Sequence, residues 1–379
     1  MTGPATSASA TDRARLHEAL ALAESAFGLT EPNPRVGCVI ADAGGRTLGV
    51  GATREAGGPH AEVVALAASR AAGHDPRGAT AWVSLEPCAH HGRTPPCCDA
   101  LIAAGLARVV VAIADPFPQV DGQGIARLRA AGIRVDMAAA ELAAAAREIN
   151  IGFFSRVRRS QPWLRMKIAA SLDGRTALAD GSSQWITGAA ARTDGHAWRR
   201  RASAVLTGIG TVLEDDPRLD VRLVPTERQP LRVVVDSRLQ TPPTARILQP
   251  PGAVLIYCAA ADPARRAALE AAGAELAVPV ADANGKVDLP ALLADLARRG
   301  VNELHVEAGH KLNGSLLAAG LVDELLVYLA PKLIGTGREM AVLGPLARLD
   351  EALALRFVDI APVGDDLRLR LRPPGREAF

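Results

Sequence analysis

Two stretches of the chain decide its fold and its chemistry: GPHAEVVAL at residues 58–66 and LEPCAHHGRTPPCC at residues 85–98. The first opens a predicted helix with a histidine. The second places one cysteine at the end of a strand and another at the start of the next helix. One imidazole and two thiolates supply the three protein ligands of a catalytic zinc site, which keeps its fourth position open. We therefore predict a zinc site formed by His60, Cys88 and Cys97.

A glutamate accompanies this site. Glu62 lies two residues after His60, in the first turn of the predicted helix. From there its carboxylate can lie beside a metal ion, take a proton from water and pass it to a departing amine. A His-x-Glu motif followed by Pro-Cys is typical of zinc deaminases. The sequence thus predicts Glu62 as the catalytic acid and base in removal of an exocyclic amine from a small nitrogen heterocycle.

The sequence leaves other ligand assignments open. Eight residues separate the two cysteines, where two are usual, and this loop carries several polar side chains. His90 or His91 can replace the first histidine as a ligand, and Cys98 can replace the second cysteine. A purely structural zinc site is a further alternative, although Glu62 would then have no role. The loop, which includes Arg93, is suited to hold a phosphate or a polar ring substituent.

Composition limits the function classes. The chain has 379 residues, of which 49% are hydrophobic, and its net charge is +2. A near-neutral chain has no general attraction for nucleic acid, and no apolar run reaches the ~18 residues that a membrane helix needs. The five cysteines are odd in number and clustered, which indicates metal binding more than disulfides. We therefore expect no nucleic-acid partner, no membrane partner and a reducing, cytoplasmic location.

The order of predicted elements indicates two α/β units. We expect a disordered tail over residues 1–11, a first domain over 12–158 and a second over 162–375, joined by the charged, proline-terminated stretch 156–162. In the first domain the expected helices are 12–27, 60–72, 99–104 and 125–131, and the expected strands are 36–41, 46–51, 80–85, 108–114 and 133–136. In the second the expected strands are 163–169, 204–207, 231–236, 252–258, 303–307 and 324–330, with helices at 263–272 and 289–299.

Motifs along nearly the whole chain resemble the family of bifunctional riboflavin biosynthesis deaminase/reductases. In the first half these are PNPRVGC (32–38), HAE (60–62) and EPC (86–88) with the long loop after it. In the second half they are KIAASLDGR (167–175), SQWIT (183–187), GIGTVLEDDP (208–217), VDS (235–237) and VEAG (306–309). The resemblance implies a cytidine-deaminase-like three-layer domain followed by a dihydrofolate-reductase-like α/β domain, with Zn²⁺ and NADPH as cofactors.

The resemblance also implies substrates and a homo-oligomer. The first domain would deaminate 2,5-diamino-6-(5-phosphoribosylamino)pyrimidin-4(3H)-one. The second would reduce the ribosyl group of 5-amino-6-(5-phosphoribosylamino)uracil to ribityl. Two rival functions remain: a deaminase that edits nucleic acid, which the 3% aromatic content disfavours, and a non-enzymatic zinc module fused to a nucleotide sensor.

Hydride transfer to the sugar also needs a proton donor, for which Lys167 and Asp215 are the candidates; a strand-end salt bridge and a turn are their structural alternatives. By the same resemblance Arg199 and Arg222 contact the phosphorylated substrate, as arginine forks can, and the alternative for Arg199 is a solvated helix face. The expected cofactor contacts are Ala169, Trp185, Thr211, Asp215, Ser237 and the loop Gly309, His310, Lys311, Leu312, Asn313, Gly314 and Ser315. The expected substrate contacts are Asn33 in the first domain and Ser183, Arg199, Leu219, Arg222 and Glu307 in the second.

Overall fold

The computed structural model describes residues 9–90, 95–118, 120–260, 262–278 and 281–379. The chain divides into two compact units, one ending at Arg158 and the other beginning at Arg159.

A helix crosses this division. It runs over Ile151–Arg159, so the first part of the stretch that we expected to be a linker is helical. The physical reason is that Phe153 and Phe154 of this helix are buried, which anchors it to the first unit. Charge alone, in a run rich in arginine, does not distinguish a solvated helix face from a linker.

The first unit alternates helices and strands much as the sequence predicts. The helices are α1 (Ala10–Ser25), α2 (Ala61–Ala71), α3 (Cys97–Ala103), α4 (Gln123–Ala130), α5 (Ala140–Ile149) and α6 (Ile151–Arg159). The strands are β1 (Gly37–Ala41), β2 (Thr47–Ala52), β3 (Thr80–Val83), β4 (Arg108–Val111) and β5 (Arg134–Met137).

The start of α1 corrects the expected tail. Ser9 caps this helix: its hydroxyl accepts from the backbone N–H of Asp12, whose side chain accepts from the backbone N–H of Ser9. This reciprocal cap satisfies two N–H groups that a helix start leaves unpaired. Residues 9–11 are therefore ordered, whereas 1–8 lie outside the described residues.

The five strands form one sheet in the order β2-β1-β3-β4-β5, with β3, β4 and β5 parallel. Glycines bring helices close to both faces. A Cβ on Gly37 would lie 1.9 Å from a backbone oxygen of α1, and one on Gly51 would lie 2.4 Å from a backbone oxygen of α2. Gly51 pairs with Cys38, the neighbour of Gly37, so the two glycines point to opposite faces. The unit therefore has three layers, as predicted.

The second unit is built on a larger sheet. Its helices are α7 (Ala189–Arg201), α8 (Ile209–Asp215), α9 (Pro263–Ala271), α10 (Leu289–Arg298) and α11 (His310–Ala318). Its strands are β6 (Trp163–Ser171), β7 (Arg175–Leu178), β8 (Ala204–Gly208), β9 (Leu231–Val235), β10 (Val254–Tyr257), β11 (Ala274–Ala277), β12 (Glu303–Val306), β13 (Glu324–Ala330), β14 (Gly337–Glu339), β15 (Arg356–Val363) and β16 (Asp366–Arg372).

Nine of these strands form one sheet in the order β11-β10-β9-β8-β12-β6-β13-β16-β15. The strands from β11 to β13 are parallel, and β16 and β15 add an antiparallel edge. The carboxyl ends of the parallel strands therefore share one edge, where α/β proteins bind ligands. A separate pair joins β14 to β7.

The sequence did not predict the two final strands. In β16, arginine alternates with leucine, which gives one apolar and one charged face and is a strand signal that was overlooked. The structure explains the pattern, because Arg370 and Arg372 donate to the buried carboxylate of Glu324. Arg165 on β6 donates to the same carboxylate and to Glu303, and all three side chains are fully buried. Paired charges thus replace part of the apolar core in this region.

Candidate active sites

The three predicted zinc ligands meet at one place in the first unit. His60 caps the start of α2, Cys97 is the first residue of α3, and Cys88 lies in the loop between β3 and α3. Their ligand atoms all lie within 4.8 Å of one another. His60 Nδ1 is 3.2 Å from Cys97 Sγ and 3.6 Å from Cys88 Sγ. One imidazole and two thiols at this spacing fit a tetrahedral zinc ion.

The surroundings of Cys88 favour its thiolate. A hydrogen bond from Cys97, together with the adjacent His60, holds the pKa of Cys88 at about 4 even though burial opposes ionisation. The backbone N–H of Cys97 also donates to Cys88 Sγ at 3.3 Å. Because the thiolate is the form that binds metal, Cys88 is prepared to receive a cation at neutral pH.

The alternative ligands lie elsewhere or cannot be placed. Cys98 is buried, and its thiol donates to the carbonyls of Pro87 and Gly124 at 3.3 and 3.5 Å. It therefore points into the packing behind α3. The ring of His90 lies beside Phe117, with 6.0 Å between the ring centroids, and is not part of the ligand group. His91 and the rest of stretch 91–94, including Arg93, lie outside the described residues.

Glu62 faces a cavity that reaches this ligand group. It is the second residue of α2 and is 3% exposed. The cavity has a volume of about 370 Å³ and is also lined by His60, Cys88 and Asn33. Burial and the charge of Cys88 raise the pKa of Glu62 to about 7. A buried carboxyl group beside a metal site is the arrangement that proton transfer requires.

One wall of the cavity is fixed by a carboxylate that sequence reasoning missed. Glu86, 3% exposed, accepts hydrogen bonds from three backbone N–H groups of one segment. The donors are Asp115, Gly122 and Ile125, at 3.2, 3.0 and 3.1 Å. Because Glu86 lies two residues before Cys88, these bonds fix the wall relative to the metal ligands.

Four more lining residues were missed: Asp115, Phe117, Phe153 and Arg156. Asp115 lies just after the buried strand β4, and burial raises its pKa to about 7. Its place beyond the end of a parallel strand is a signal that could have identified it, because ligand contacts gather there. Phe153 and Arg156 lie on α6, in a stretch that carries no motif.

In the second unit, most of the predicted contacts surround one cavity of about 460 Å³. It lies beyond the carboxyl ends of β6, β8 and β12, where the sheet topology predicts a ligand site. The predicted residues that line it are Lys167, Ala169, Ser183, Trp185, Arg199, Thr211, Asp215, Leu219, Arg222, Glu307, Gly309, His310 and Asn313.

Five predicted cofactor contacts do not line this cavity: Ser237, Lys311, Leu312, Gly314 and Ser315. The Ser237 hydroxyl accepts from the backbone N–H of Val287 at 3.1 Å. A Cβ on Gly314 would lie 2.0 Å from the carbonyl oxygen of Val342. The structure therefore explains Gly314 by close packing inside the unit, and its contact with the cofactor stays a prediction.

Arg199 lines the cavity and also makes contacts within the unit. Two of its nitrogens donate to the Glu307 carboxylate, and Nη1 donates to the carbonyl of Asp220 at 2.9 Å. Its side chain is 12% exposed. A guanidinium engaged in this way holds Glu307 in place, and its contact with the substrate phosphate stays a prediction. Its sequence context, three consecutive arginines, could not show the contacts within the unit because both partners are distant in the chain.

Glu307 is the centre of a charged cluster in this cavity. Burial opposes the ionisation of Glu307, but Arg199 and Lys167 hold its pKa well below the usual range. Lys167 Nζ lies 3.8 Å from Glu307 Oε2. Burial lowers the pKa of Lys167, and Glu307 opposes that shift. An ammonium and a carboxylate are thus held side by side on the cavity wall.

The start of α11 fits a phosphorylated cofactor. Gly309 precedes this helix and provides no side-chain cap, so the first N–H groups point outward. Asn313 is 2% exposed and lines the cavity. Its Nδ2 donates to Met340, whereas its Oδ1 has no hydrogen-bond partner among the described residues. Because buried polar atoms are normally paired, this oxygen marks a place where a bound ligand donates a hydrogen bond.

The charge of the cavity agrees with this fit. Asp215, at the end of α8, is one of three lining acids, with Glu214 and Glu307. Burial, followed by the charge of Glu214, raises the pKa of Asp215. The seven lining cations are Lys167, Arg192, Arg199, Arg218, Arg222, Arg246 and Arg338. An excess of cations suits ligands that carry several phosphates.

The fold and the two sites define a zinc deaminase unit followed by a reductase unit. Comparisons with known proteins agree. The family model "Cytidine and deoxycytidylate deaminase zinc-binding region" matches residues 9–113, and "RibD C-terminal domain" matches residues 162–369. The riboflavin biosynthesis protein RibD of Escherichia coli is 45% identical over 95% of this chain and 99% of its own length. The RibD protein of Mycobacterium tuberculosis H37Rv is 39% identical over 91% of this chain and 92% of its own.

Solved structures show the same similarity. RibD of Acinetobacter baumannii superposes with a TM-score of 0.86 at 39% identity, covering 96% of this chain and 99% of that one. A Thermotoga maritima protein, described as a diaminohydroxyphosphoribosylaminopyrimidine deaminase/5-amino-6-(5-phosphoribosylamino)uracil reductase, gives 0.85 at 31% identity over 96% of this chain and 99% of that one.

The chain belongs to the RibD family of riboflavin biosynthesis proteins. It is a bifunctional enzyme, a zinc-dependent deaminase and an NADPH-using reductase that acts on small molecules. The predicted fold class, activities and cofactors are therefore confirmed. Among the described residues, no helix combines the length and apolar character needed to cross a membrane.

We expect one zinc ion per chain, and replacement of one ligand should remove it. A serine hydroxyl binds zinc poorly, so purified Cys97→Ser protein should retain less than about a tenth of the metal by mass spectrometry. Cys98→Ser is the matched control, because its hydroxyl can make the bonds that the buried thiol makes. Zinc that stays in folded Cys97→Ser, or leaves Cys98→Ser, would show that the ligand set is different.

Proposed function

We propose that the first unit deaminates 2,5-diamino-6-(5-phosphoribosylamino)pyrimidin-4(3H)-one. We propose that the second unit then reduces the ribosyl group of 5-amino-6-(5-phosphoribosylamino)uracil to ribityl. The observation that carries this proposal is the pairing of a His-Cys-Cys ligand group beside a buried glutamate with a cation-rich cavity in one chain. The activities that name the Thermotoga maritima protein support the same pair of substrates.

In the deaminase cavity, His60, Cys88 and Cys97 would hold zinc. Zinc supplies a Lewis acid that lowers the pKa of water. Glu62 accepts the proton of the attacking water at its carboxylate and gives it to the nitrogen of the departing amine. Its burial at 3% exposure excludes bulk water from this exchange. Asn33 and Asp115 line the same cavity, and we propose that they orient the ring.

In the reductase cavity, Ala169, Trp185, Thr211 and the start of α11 would hold the cofactor. NADPH supplies a hydride. Lys167 is positioned by Glu307, which Arg199 holds in turn, and we propose that its ammonium donates a proton to the opening sugar. Asp215 is the second candidate donor. Ser183, Leu219 and Arg222 line the substrate end of the cavity in this proposal.

We propose further that the enzyme works in the cytoplasm on free nucleotides, without a nucleic-acid or membrane partner, and as a homo-oligomer. All five cysteines are free, which suits a reducing compartment. The reductase unit exposes apolar side chains near its antiparallel edge, among them Phe357, Ile360 and Leu367. Sedimentation velocity at micromolar concentration tests self-association, and a single species of monomer mass would contradict it.

The two activities should separate in Glu62→Gln. Glutamine keeps the size of the side chain but cannot carry a proton, so deamination should fall by about 10²–10⁴-fold. Zinc content should remain, and NADPH consumption on the deaminated substrate should be unchanged, because the second cavity lies in another unit.

Glu55→Gln, at an exposed position of the same unit, is the control and should keep both activities. Release of ammonia from the ribotide and loss of NADPH absorbance are the two readouts. Near wild-type deamination by Glu62→Gln would exclude the proton-transfer role. Loss of both activities in a folded, zinc-loaded variant would contradict independent sites.

A negative charge at Asn313 should weaken the binding of NADPH. Asn313 lines the cavity in the first turn of α11, near the uncapped N–H groups where the cofactor phosphates are expected. Asn313→Asp should raise the Kd for NADPH about tenfold or more through repulsion, and added salt should reduce the difference. Asn284→Asp makes the same change at an exposed turn outside the cavity and should leave the Kd unaltered. Quenching of tryptophan fluorescence measures both, and equal Kd values for the two variants would refute this placement.

A further inference from the structure

One irregular segment forms part of the wall of the reductase cavity. Residues 183–187 lie between β7 and α7, and all five line the cavity. The proposed function places Trp185 at the cofactor and Ser183 at the substrate, so this segment serves both ligands. Backbone carbonyls outside helices and sheets must find other donors. The groups that bind those carbonyls therefore also fix the contacts that the segment makes.

Lys332 donates to two of these carbonyls. Its Nζ lies 2.7 Å from the carbonyl oxygen of Ile186 and 3.1 Å from that of Trp185. Both are charge-assisted hydrogen bonds, which are stronger than bonds between neutral groups. Because they hold two consecutive peptide groups, they orient the main chain of the segment. Lys332 is not among the described residues that line the cavity, so it supports the wall without being part of it.

The loop that carries Lys332 is itself anchored. It follows β13, and the carbonyl oxygen of Lys332 accepts from the backbone N–H of Leu172 at 2.8 Å. The backbone N–H groups of Ile334 and Gly335 donate to the carboxylate of Asp173 at 3.1 and 2.7 Å. The turn after β6 thus holds the loop at several points. An ammonium on such a loop loses less freedom when it binds the two carbonyls.

The indole of Trp185 is the part of the segment with most area to offer a ligand. It is 61% exposed although it lines the cavity. The guanidinium carbon of Arg192 lies 4.6 Å from the centroid of the ring, within the range of a cation–π interaction. Arg192 Nη1 also donates to the carbonyl oxygen of Thr187 at 2.7 Å. The ring is therefore supported by Arg192 and keeps exposed area that a planar ligand ring can bury.

We infer that Lys332 is a positioning residue of the reductase, which holds residues 183–187 in the conformation in which Trp185 contacts the cofactor. The inference rests on the proposed function, since that function places NADPH against Trp185. Lys332 touches neither ligand in this arrangement, so its loss weakens binding through the segment. Proton transfer by Lys167 continues without it, because Lys167 lies on β6 beside Glu307.

A direct contact between Lys332 and a cofactor phosphate would give a different pattern of affinities. In that case the losses caused by Lys332→Met and by Trp185→Ala would be independent and would multiply. If Lys332 acts through the segment, most of its effect should disappear once the indole ring has been removed. A double-mutant cycle therefore separates the two roles.

The experiment measures the Kd for NADPH by isothermal titration calorimetry on the full, zinc-loaded chain. Lys332→Met should raise this Kd about tenfold, the usual effect of losing charge-assisted hydrogen bonds. In the Trp185→Ala background the same change should raise the Kd by less than about threefold. The KM for NADPH should rise with the Kd, whereas kcat at saturating NADPH and substrate should stay within about threefold of wild type. Ammonia release by the first unit should be unchanged.

Three further variants complete the test. Lys332→Arg keeps the charge and the donors, so its Kd should lie within about threefold of wild type. Lys286→Met removes the same side chain from an exposed turn outside the cavity and should leave the Kd unaltered. If Lys332→Met does not fold, Lys332→Gln takes its place in the cycle, because a neutral amide can still donate to one carbonyl.

A wild-type Kd in folded Lys332→Met would overturn the inference. Losses that multiply in the double variant would also overturn it, because they would show that Lys332 acts on the cofactor independently of Trp185. Failure of the wild type to bind NADPH would instead refute the proposed function, which keeps the two failures distinguishable.

Discussion

A carboxylate that is taken out of water must find donors within the protein, and both units are organised around carboxylates of this kind. In the first, Glu86 collects three backbone N–H groups and so fixes the wall of the deaminase cavity relative to Cys88. In the second, Glu307 collects Arg199 and so fixes the position of Lys167. In each case the groups that pair with the buried carboxylate also form the cavity wall. Replacing the carboxylate would therefore change the shape of the cavity before it changed the reacting groups.

The backbone explains why the reactive groups meet. Cys88 and Asp115 come after β3 and β4, which are parallel neighbours, and Glu307 comes directly after β12 in the larger sheet. Because parallel strands end at the same edge of a sheet, the loops after them lie close together, and helices that start there present unpaired N–H groups. The loop conformations then need to place only a few side chains, because the sheet has already brought them near.

Sequence reasoning found the groups that short motifs encode. His60, Glu62, Cys88 and Cys97 lie in stretches whose spacing has one chemical meaning, and the structure brings the three ligands together beside the glutamate. It did not show contacts that depend on partners far along the chain. Arg199 was predicted to bind phosphate, and the sequence could not show that it also donates to Asp220 and Glu307, which are 21 and 108 residues away. The burial of the arginine face of β16 could not be predicted for the same reason, since the carboxylate that pairs with Arg372 is 48 residues distant.

The described linings of the two cavities differ in their ionisable groups, and the chemistry of each unit accounts for the difference. The reductase cavity is lined by seven cations, which suits a cofactor and a substrate that both carry phosphate. The deaminase cavity needs carboxyl groups that can hold a proton near neutral pH, and burial raises the pKa of Glu62 and of Asp115 to about 7. Several cations close to them would lower those pKa values and favour permanent carboxylates. The burial of Glu62 and Asp115, which raises both pKa values, therefore keeps these groups able to exchange protons near neutral pH.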